Sequence, residues 1–414
     1  MTATTVNTRG AQPEPDAHPA RWRMLALLAV AELLGMSLWF ATSAVSAQYR
    51  EMWLLTASDA AWLTTVVQLG FVAGTATSAL LNLADVIPAR RLFALSALSG
   101  AAANAMVLTA DGMQGALIWR FLTGACLAGV YPPAMKMIST WFRARRGLAV
   151  GAIVGALTVG KALPYLVHAA PGAGIQPVGI VASLGAATAA ALVWFGYRDG
   201  PYPFPPRAFS WGLAGEVVSE RRWRLATGGY LGHMIELYPA WVWLPVFIAA
   251  SIAAADPGAG ASGESIASGL AFAALAAGGL GCIWGGLAAD RRSREWLVTV
   301  AMAASGACAV LIGFTFGASL WMLAPIALAW GFFVVADSAQ FSVLVTESVP
   351  PHAVGTALTL QVSIGFLLTA VVIQLVPPLA AAVGWQWAFA FLAVGPLLGI
   401  ASIRRLVMAR RAGA

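Results

Sequence analysis

Six ionisable residues, Glu32, Arg120, Lys161, His233, Glu236 and Asp337, lie inside long apolar stretches of this 414-residue chain. Charged groups in an apolar medium are costly and persist where they pair or handle an ion or proton. Glu32, Glu236 and Asp337 are therefore candidate proton carriers. His233 precedes Glu236 by one helical turn, on the same face, which suits a proton relay. Lys161 and Lys136 are the only lysines, against 22 arginines. Lys161 is too deep for easy snorkelling and calls for an anion, either a substrate or a carboxylate partner; Lys136 is close enough to a helix end to snorkel. Trp39 follows Glu32 by seven positions, as Trp243 follows Glu236. With Trp241 they offer flat faces to a substrate, or else belong to an interfacial aromatic belt. The acids also have a plainer role open to them, pairing with basic residues to fix packing.

The elements that must position these groups follow from composition. Hydrophobic residues make up 60% of the chain and charged ones 10%, where soluble domains carry about 25% charged residues. A bilayer core needs roughly 20 apolar residues per helix. Windows of that kind fall near 24–46, 62–83, 92–110, 115–138, 147–170, 177–197, 224–252, 266–289, 296–316, 320–345, 353–378 and 384–403. The expectation is an all-α membrane protein with twelve transmembrane helices. Twenty of the 24 basic residues fall in alternate gaps between these windows, and only Arg50 falls in the other set. Basic loops stay cytoplasmic, so both ends are expected inside. Residues 1–20 read as a disordered cytoplasmic tail, 21–197 and 223–404 as six-helix bundles, 198–222 as a Pro- and Arg-rich cytoplasmic linker, and 405–414 as a second tail.

The halves repeat. Glu32-Leu33 with Trp39 recurs as Glu236-Leu237 with Trp243, and Leu83-Ala84-Asp85 before Arg90-Arg91 recurs as Ala288-Ala289-Asp290 before Arg291-Arg292 and Arg294, at offsets of 204 and 205. Duplicated halves of equal orientation imply a pseudo-twofold axis along the membrane normal and a cavity between them, which Glu32 and Glu236 could line from opposite sides. Gly147, Gly151 and Gly155 place small residues every fourth position in the fifth window, allowing close helix contact.

The run Gly285-Gly286-Leu287-Ala288-Ala289-Asp290-Arg291-Arg292-Ser293-Arg294 resembles the loop signature of the major facilitator superfamily, and Asn82 to Arg91 is its degenerate first-half copy. Arg120 with Gly124 looks like that family's fourth-helix arginine motif, and the resemblance implies a coupling or substrate role for Arg120. Gly232-His233-Met234 and Tyr131-Pro132-Pro133-Ala134-Met135-Lys136 are similar to the cyanate and nitrate/nitrite porter group. A carboxylate ending one helix beside arginines starting the next can lock one conformational state. Asp290 with Arg291 and Arg294, and Asp85 with Arg90 and Arg91, are the expected gating clusters, unless these arginines only set topology.

Other chemistries find no support. Gly155 to Lys161 has P-loop spacing, but Ala162 stands where a Ser or Thr must hold magnesium, and the run is a helix with no preceding strand. Gly258, Gly260 and Gly263 fit a dinucleotide fingerprint only by letter. No ATP, cofactor, metal or nucleic-acid partner is expected, and no enzyme motif is visible. Cys126, Cys282 and Cys308 make an odd count within apolar segments, so no disulfide framework is implied.

The expected protein is a secondary transporter of a small solute, a small anion moved with protons. If the deep acids are ionised, export of lipophilic cations in exchange for protons fits better; a non-transporting receptor or assembly factor is the reading from another class. Scarce Lys beside abundant Ala and Gly suggests a GC-rich bacterial source, hence the plasma (inner) membrane. No residue pattern specifies direction of transport or oligomeric state.

Overall fold

The computed structural model describes residues 18–143, 146–202 and 210–412; the side chains of Ala84, Asp85, Arg146 and Trp211 lie outside the described part. Asp85, one of the expected gating acids, is thus known only by its place on the short helix Leu83–Val86. Among the described residues all regular structure is helical.

Ten helices are long and apolar enough to cross a membrane: Ala57–Leu80, Met113–Ser139, Gly147–His168, Ile175–Gly196, Arg221–Ala255, Gly260–Arg291, Arg294–Thr315, Leu320–Thr346, Pro351–Val383 and Trp385–Arg411. With the interrupted first pass, residues 21–53, and with Ala89–Val107, they make twelve spans, numbered here in chain order. The eighth starts at Gly260, six residues before its apolar window, because the Ala/Gly-rich run before it joins the helix.

Four spans are broken, the twelfth at Phe389 between Trp385–Ala388 and a 3-10 turn that leads into Val394–Arg411. The first is a helix Arg21–Met36, a turn over 37–40, then Ala41–Ala44 and Ser46–Trp53, and not the single helix expected over 24–46. The fourth divides into Met113–Leu127 and Tyr131–Ser139, the second piece opening on Pro132 and Pro133, residues that tolerate a helix's first turn because they lack an N–H. The tenth divides at Asp337 into Leu320–Ala336 and Ser338–Thr346, which places that acid at a junction and not inside a continuous helix. The fourth and tenth are equivalent members of the repeat, and their breaks correspond.

Glycines let backbones meet within each half. A Cβ on Gly70, Gly74 or Gly124 would strike the backbone of Phe121, Ala125 or Val67, packing the second span on the fourth. Gly281, Gly285 and Gly331 repeat the arrangement against Phe332, Ala336 and Ala274. Across the halves, Gly147, Gly151 and Gly155 form the expected small face: a Cβ on Gly155 would sit 3.0 Å from the carbonyl oxygen of Gly279, and one on Gly151 3.4 Å from that of Cys282. The second and eleventh spans complete the seam, joined by a short hydrogen bond from Thr369 to Gln68 and one of 3.2 Å from Gln374 Nε2 to Thr65 Oγ1.

The connection between the halves is structured in part. Trp211–Ser219 is a helix in the segment expected to be only a linker, anchored where Ser210 N donates to Thr356 Oγ1 at 3.1 Å on the eleventh span.

Candidate functional site

The broken first span and the fifth, seventh, second and eleventh spans converge on Lys161, which is 3% exposed. Its Nζ donates to the hydroxyl of Tyr238 at 2.6 Å. It lies 4.0 Å from the ring centroid of Trp39, 4.8 Å from Tyr238 and 5.3 Å from Trp241. Phe366 closes the far side, 5.0 Å from Tyr238 and 5.7 Å from Trp39, and Phe71 stands 5.2 Å from Trp39. The ammonium is therefore boxed by ring faces from both halves. Such contacts are worth about 2 kcal/mol or more when desolvated. Among the described residues no carboxylate comes within 4 Å of it, so its contact is an aromatic hydroxyl and not an acid.

Glu32 stands on the first span, seven positions before Trp39. It is fully buried, and neither of its oxygens has a hydrogen-bond partner. The indole N–H groups of Trp39 and Trp241 and the Gln68 amide nitrogen are likewise buried without partners, as are both polar atoms of Gln361. Unpaired polar groups at such depth are destabilising, commonly by about 1–3 kcal/mol each.

A cavity of about 150 Å³ adjoins the box on the side away from the arginine-bearing helix ends, with Thr64, Tyr165, His168, Trp243, Arg50 and Glu264 in its wall. Phe40 bridges cavity and box, 6.4 Å from Tyr165 and 6.2 Å from Trp241. His168 Nδ1 lies 2.8 Å from Ser268 Oγ, joining the fifth span to the eighth beside it. Trp243 borders this cavity and donates its indole N–H to Ile373 O at 2.9 Å. The repeat is thus broken in use, because Trp39 and Trp241 meet the lysine and Trp243 does not.

Glu236 also departs from the symmetric expectation. It accepts from Ser305 Oγ and Trp330 Nε1, both at 2.7 Å, inside the second half. Both of its oxygens thus have partners in the second half. His233 is engaged elsewhere: its Nδ1 is 2.9 Å from Asp337 Oδ1, and Nε2 is 2.9 Å from Ser338 Oγ. Asp337 Oδ1 nevertheless lacks a well-aligned hydrogen bond, so the contact with the ring is electrostatic and off-line. Both arrangements are sealed: Glu236, His233 and Asp337 are each no more than 3% exposed.

Arg120 is fully buried and engaged with the scaffold. Its Nη1 donates to Leu38 O at 2.8 Å and Asn104 Oδ1 at 3.2 Å, Nη2 to Trp39 O at 2.6 Å, and Nε to Leu63 O at 3.2 Å. The first two carbonyls belong to the turn over 37–40, where helical partners are missing. A guanidinium with five donors in a fixed fork suits a backbone break of this shape.

At the arginine-bearing face, Asp290 lies against the amino-terminal end of the fifth span, where a Cβ on Gly147 would be 3.4 Å from its Oδ2. That is the favourable end of a helix dipole for a carboxylate. Arg294 is drawn elsewhere, pairing with Glu347 at 2.8 Å, and Arg410 reaches Glu295 at 2.6 Å. Arg90, Arg91 and Arg291 are exposed. The Asp290–Arg294 pairing expected from sequence is therefore replaced by a ninth-, tenth- and twelfth-span network.

Tyr238, Phe71, Phe366, Ser305, Trp330, Glu347 and Arg410 went unread in the sequence. Tyr238 stands two positions after Glu236, which was signal enough to notice it; single aromatics in apolar helices carry none.

Residues 25–373 match the family described as Major Facilitator Superfamily. No curated protein sequence matches the chain. Among solved structures it is similar to the nucleoside transporter NupG, with a TM-score of 0.70 at 14% identity, covering 92% of this chain and 99% of that one. It is also similar to a bacterial homologue of the human lysosomal transporter Spinster in an inward-facing and occupied conformation, with a TM-score of 0.64 at 15% identity, covering 95% and 98%. At these identities the likeness is one of fold.

Proposed function

Since the chain belongs to the major facilitator superfamily, we propose that it is a secondary transporter that carries a small anion with protons by alternating access around Lys161. The observation that supports this reading is the buried ammonium, held by neutral aromatic groups from both halves and matched with no carboxylate in contact. A cation kept in that state at bilayer depth gains from an anionic ligand. Glu32, buried on the first span with no hydrogen-bond partner among the described residues, is the acid that takes up a proton when the anion's charge replaces its own. Glu236 and the Asp337–His233 contact are further proton carriers in the second half.

Residues 21–197 and 223–404 act as the two rocking halves, with 198–222 as the linker and the arginine-bearing face cytoplasmic, in a bacterial plasma membrane. Asp290 against the start of the fifth span, together with the Arg294–Glu347 and Arg410–Glu295 pairs, forms the gate that favours closure on that face, with Arg291 and the first-half Asp85, Arg90 and Arg91 as further members. Arg120 acts by shaping the Trp39 turn.

The test is uptake into proteoliposomes loaded with a pH-sensitive dye. Addition of the transported anion at neutral pH should acidify the lumen, and Lys161→Ala should abolish the signal. Alkalinisation driven by lipophilic cations, unaffected by Lys161→Ala, would replace this reading with drug/proton exchange.

A further inference from the structure

Around Lys161, the number of charges, the placement of free donors and the nature of the walls narrow the ligand further. Among the described residues Lys161 is the sole cation of the box. Arg120 directs Nε, Nη1 and Nη2 to main-chain and amide oxygens, and Arg50 lies in the wall of the adjoining cavity. One positive charge can be matched by one negative charge; a dianion would leave a full charge uncompensated at a depth where that is prohibitive.

The free donors are equally limited. An ammonium has three protons, of which Tyr238 accepts one. The indole N–H groups of Trp39 and Trp241 are buried without acceptors, and both rings touch the same ammonium. The remaining ammonium protons and these two indoles are few donors, enough for the two oxygens of a carboxylate, and the neighbouring surface is aromatic: Trp39, Tyr238, Phe71 and Phe366 pack on one another beside the lysine.

Those rings pack on each other at tilted angles with centroids 5.0–5.8 Å apart. Aromatic rings meet in such offset or edge arrangements when they attract. A flat ring inserted among them exchanges one aromatic contact for another. Trp39 is the wall whose side chain can yield, because Arg120 holds its turn only through the backbone and its N–H has no acceptor among the described residues. The cavity of about 150 Å³ beside Phe40 and Tyr165 supplies the approach.

We infer that the ligand is an aromatic monocarboxylate, its carboxylate on Lys161 and the indole N–H groups and its ring among Trp39, Tyr238 and Phe366. The inference rests on the anion reading above and specifies its substrate class.

The experiment is thermal unfolding of the full chain in lipid nanodiscs with benzoate, acetate, nitrate, sulfate, benzamide or benzyltrimethylammonium. Benzoate should raise Tm at about tenfold lower concentration than acetate, as expected for roughly one added ring contact, with no shift from sulfate or benzamide. Lys161→Ala should remove the benzoate shift. Should that variant not fold, Phe366→Leu serves, because it removes a ring and no donor, and it should weaken benzoate more than acetate. If acetate or nitrate equals benzoate, this inference is overturned and the anion reading stands. A shift from the quaternary ammonium alone overturns both; benzamide equal to benzoate, or no shift from any compound, overturns the inference.

Discussion

Arg120 Nη2 donates to the carbonyl of Trp39 at 2.6 Å, so the fourth span holds the turn that carries one wall of the Lys161 box. The residue that resembles a family coupling motif reaches the ligand site through the backbone. Arg120→Lys keeps the charge and loses the fork. It should leave at least one of the Leu38, Trp39 and Leu63 carbonyls unsatisfied, lowering stability by about 1–3 kcal/mol for each. Thermal unfolding in detergent measures this, and an unchanged midpoint would show that water satisfies the break.

Glu236→Gln retains an oxygen for Ser305 or Trp330 and removes the titrating group. Uptake driven by a pH gradient should fall by about tenfold or more, the size expected for loss of a positioned proton carrier, while exchange of labelled for unlabelled ligand continues. Equal loss of both activities would assign Glu236 to structure.

Gly155→Leu puts a branched side chain where a single Cβ already comes 3.0 Å from Gly279 O. The fifth and eighth spans should separate on the arginine-bearing face, shifting the protein toward the state open there. A cysteine probe introduced at Ala152 should become labelled faster, and Gly155→Ala should give an intermediate rate. No change in labelling would mean that this seam does not set the closed state.

Arg410 and Glu295 are partly exposed, and pairs of that kind contribute about 0–1 kcal/mol. Arg410→Gln should therefore leave the unfolding midpoint almost unchanged. Its expected effect is on the balance between states, read as a change in labelling at the same probe; a large drop in stability would instead place the network among the structural supports.

The twelve passes were legible because hydropathy and arginine spacing are properties of whole segments, and the duplication because Glu32 and Glu236 carry their tryptophans with them. The breaks at 37–40 and Asp337 were hidden, since each depends on a partner distant in sequence: Arg120 for the first, His233 on the seventh span for the second. For the same reason Glu236 could be placed at depth but not aimed. Ser305 and Trp330, which fix its direction, are 69 and 94 positions away. Arg294 lies four residues from Asp290 in sequence yet follows the ninth span's own helix start toward Glu347.

The same Arg120 contacts bear on how the chain is assembled. Leu38 is 82 positions ahead of the arginine that satisfies it, so the first pass is made before the partner that its bent turn requires. It can remain a straight helix until the fourth pass arrives and only then take its bent form. The Lys161 box is consequently a late product of biogenesis, completed by passes synthesised long after its first wall, and a chain halted before the fourth span would hold a first span of different shape.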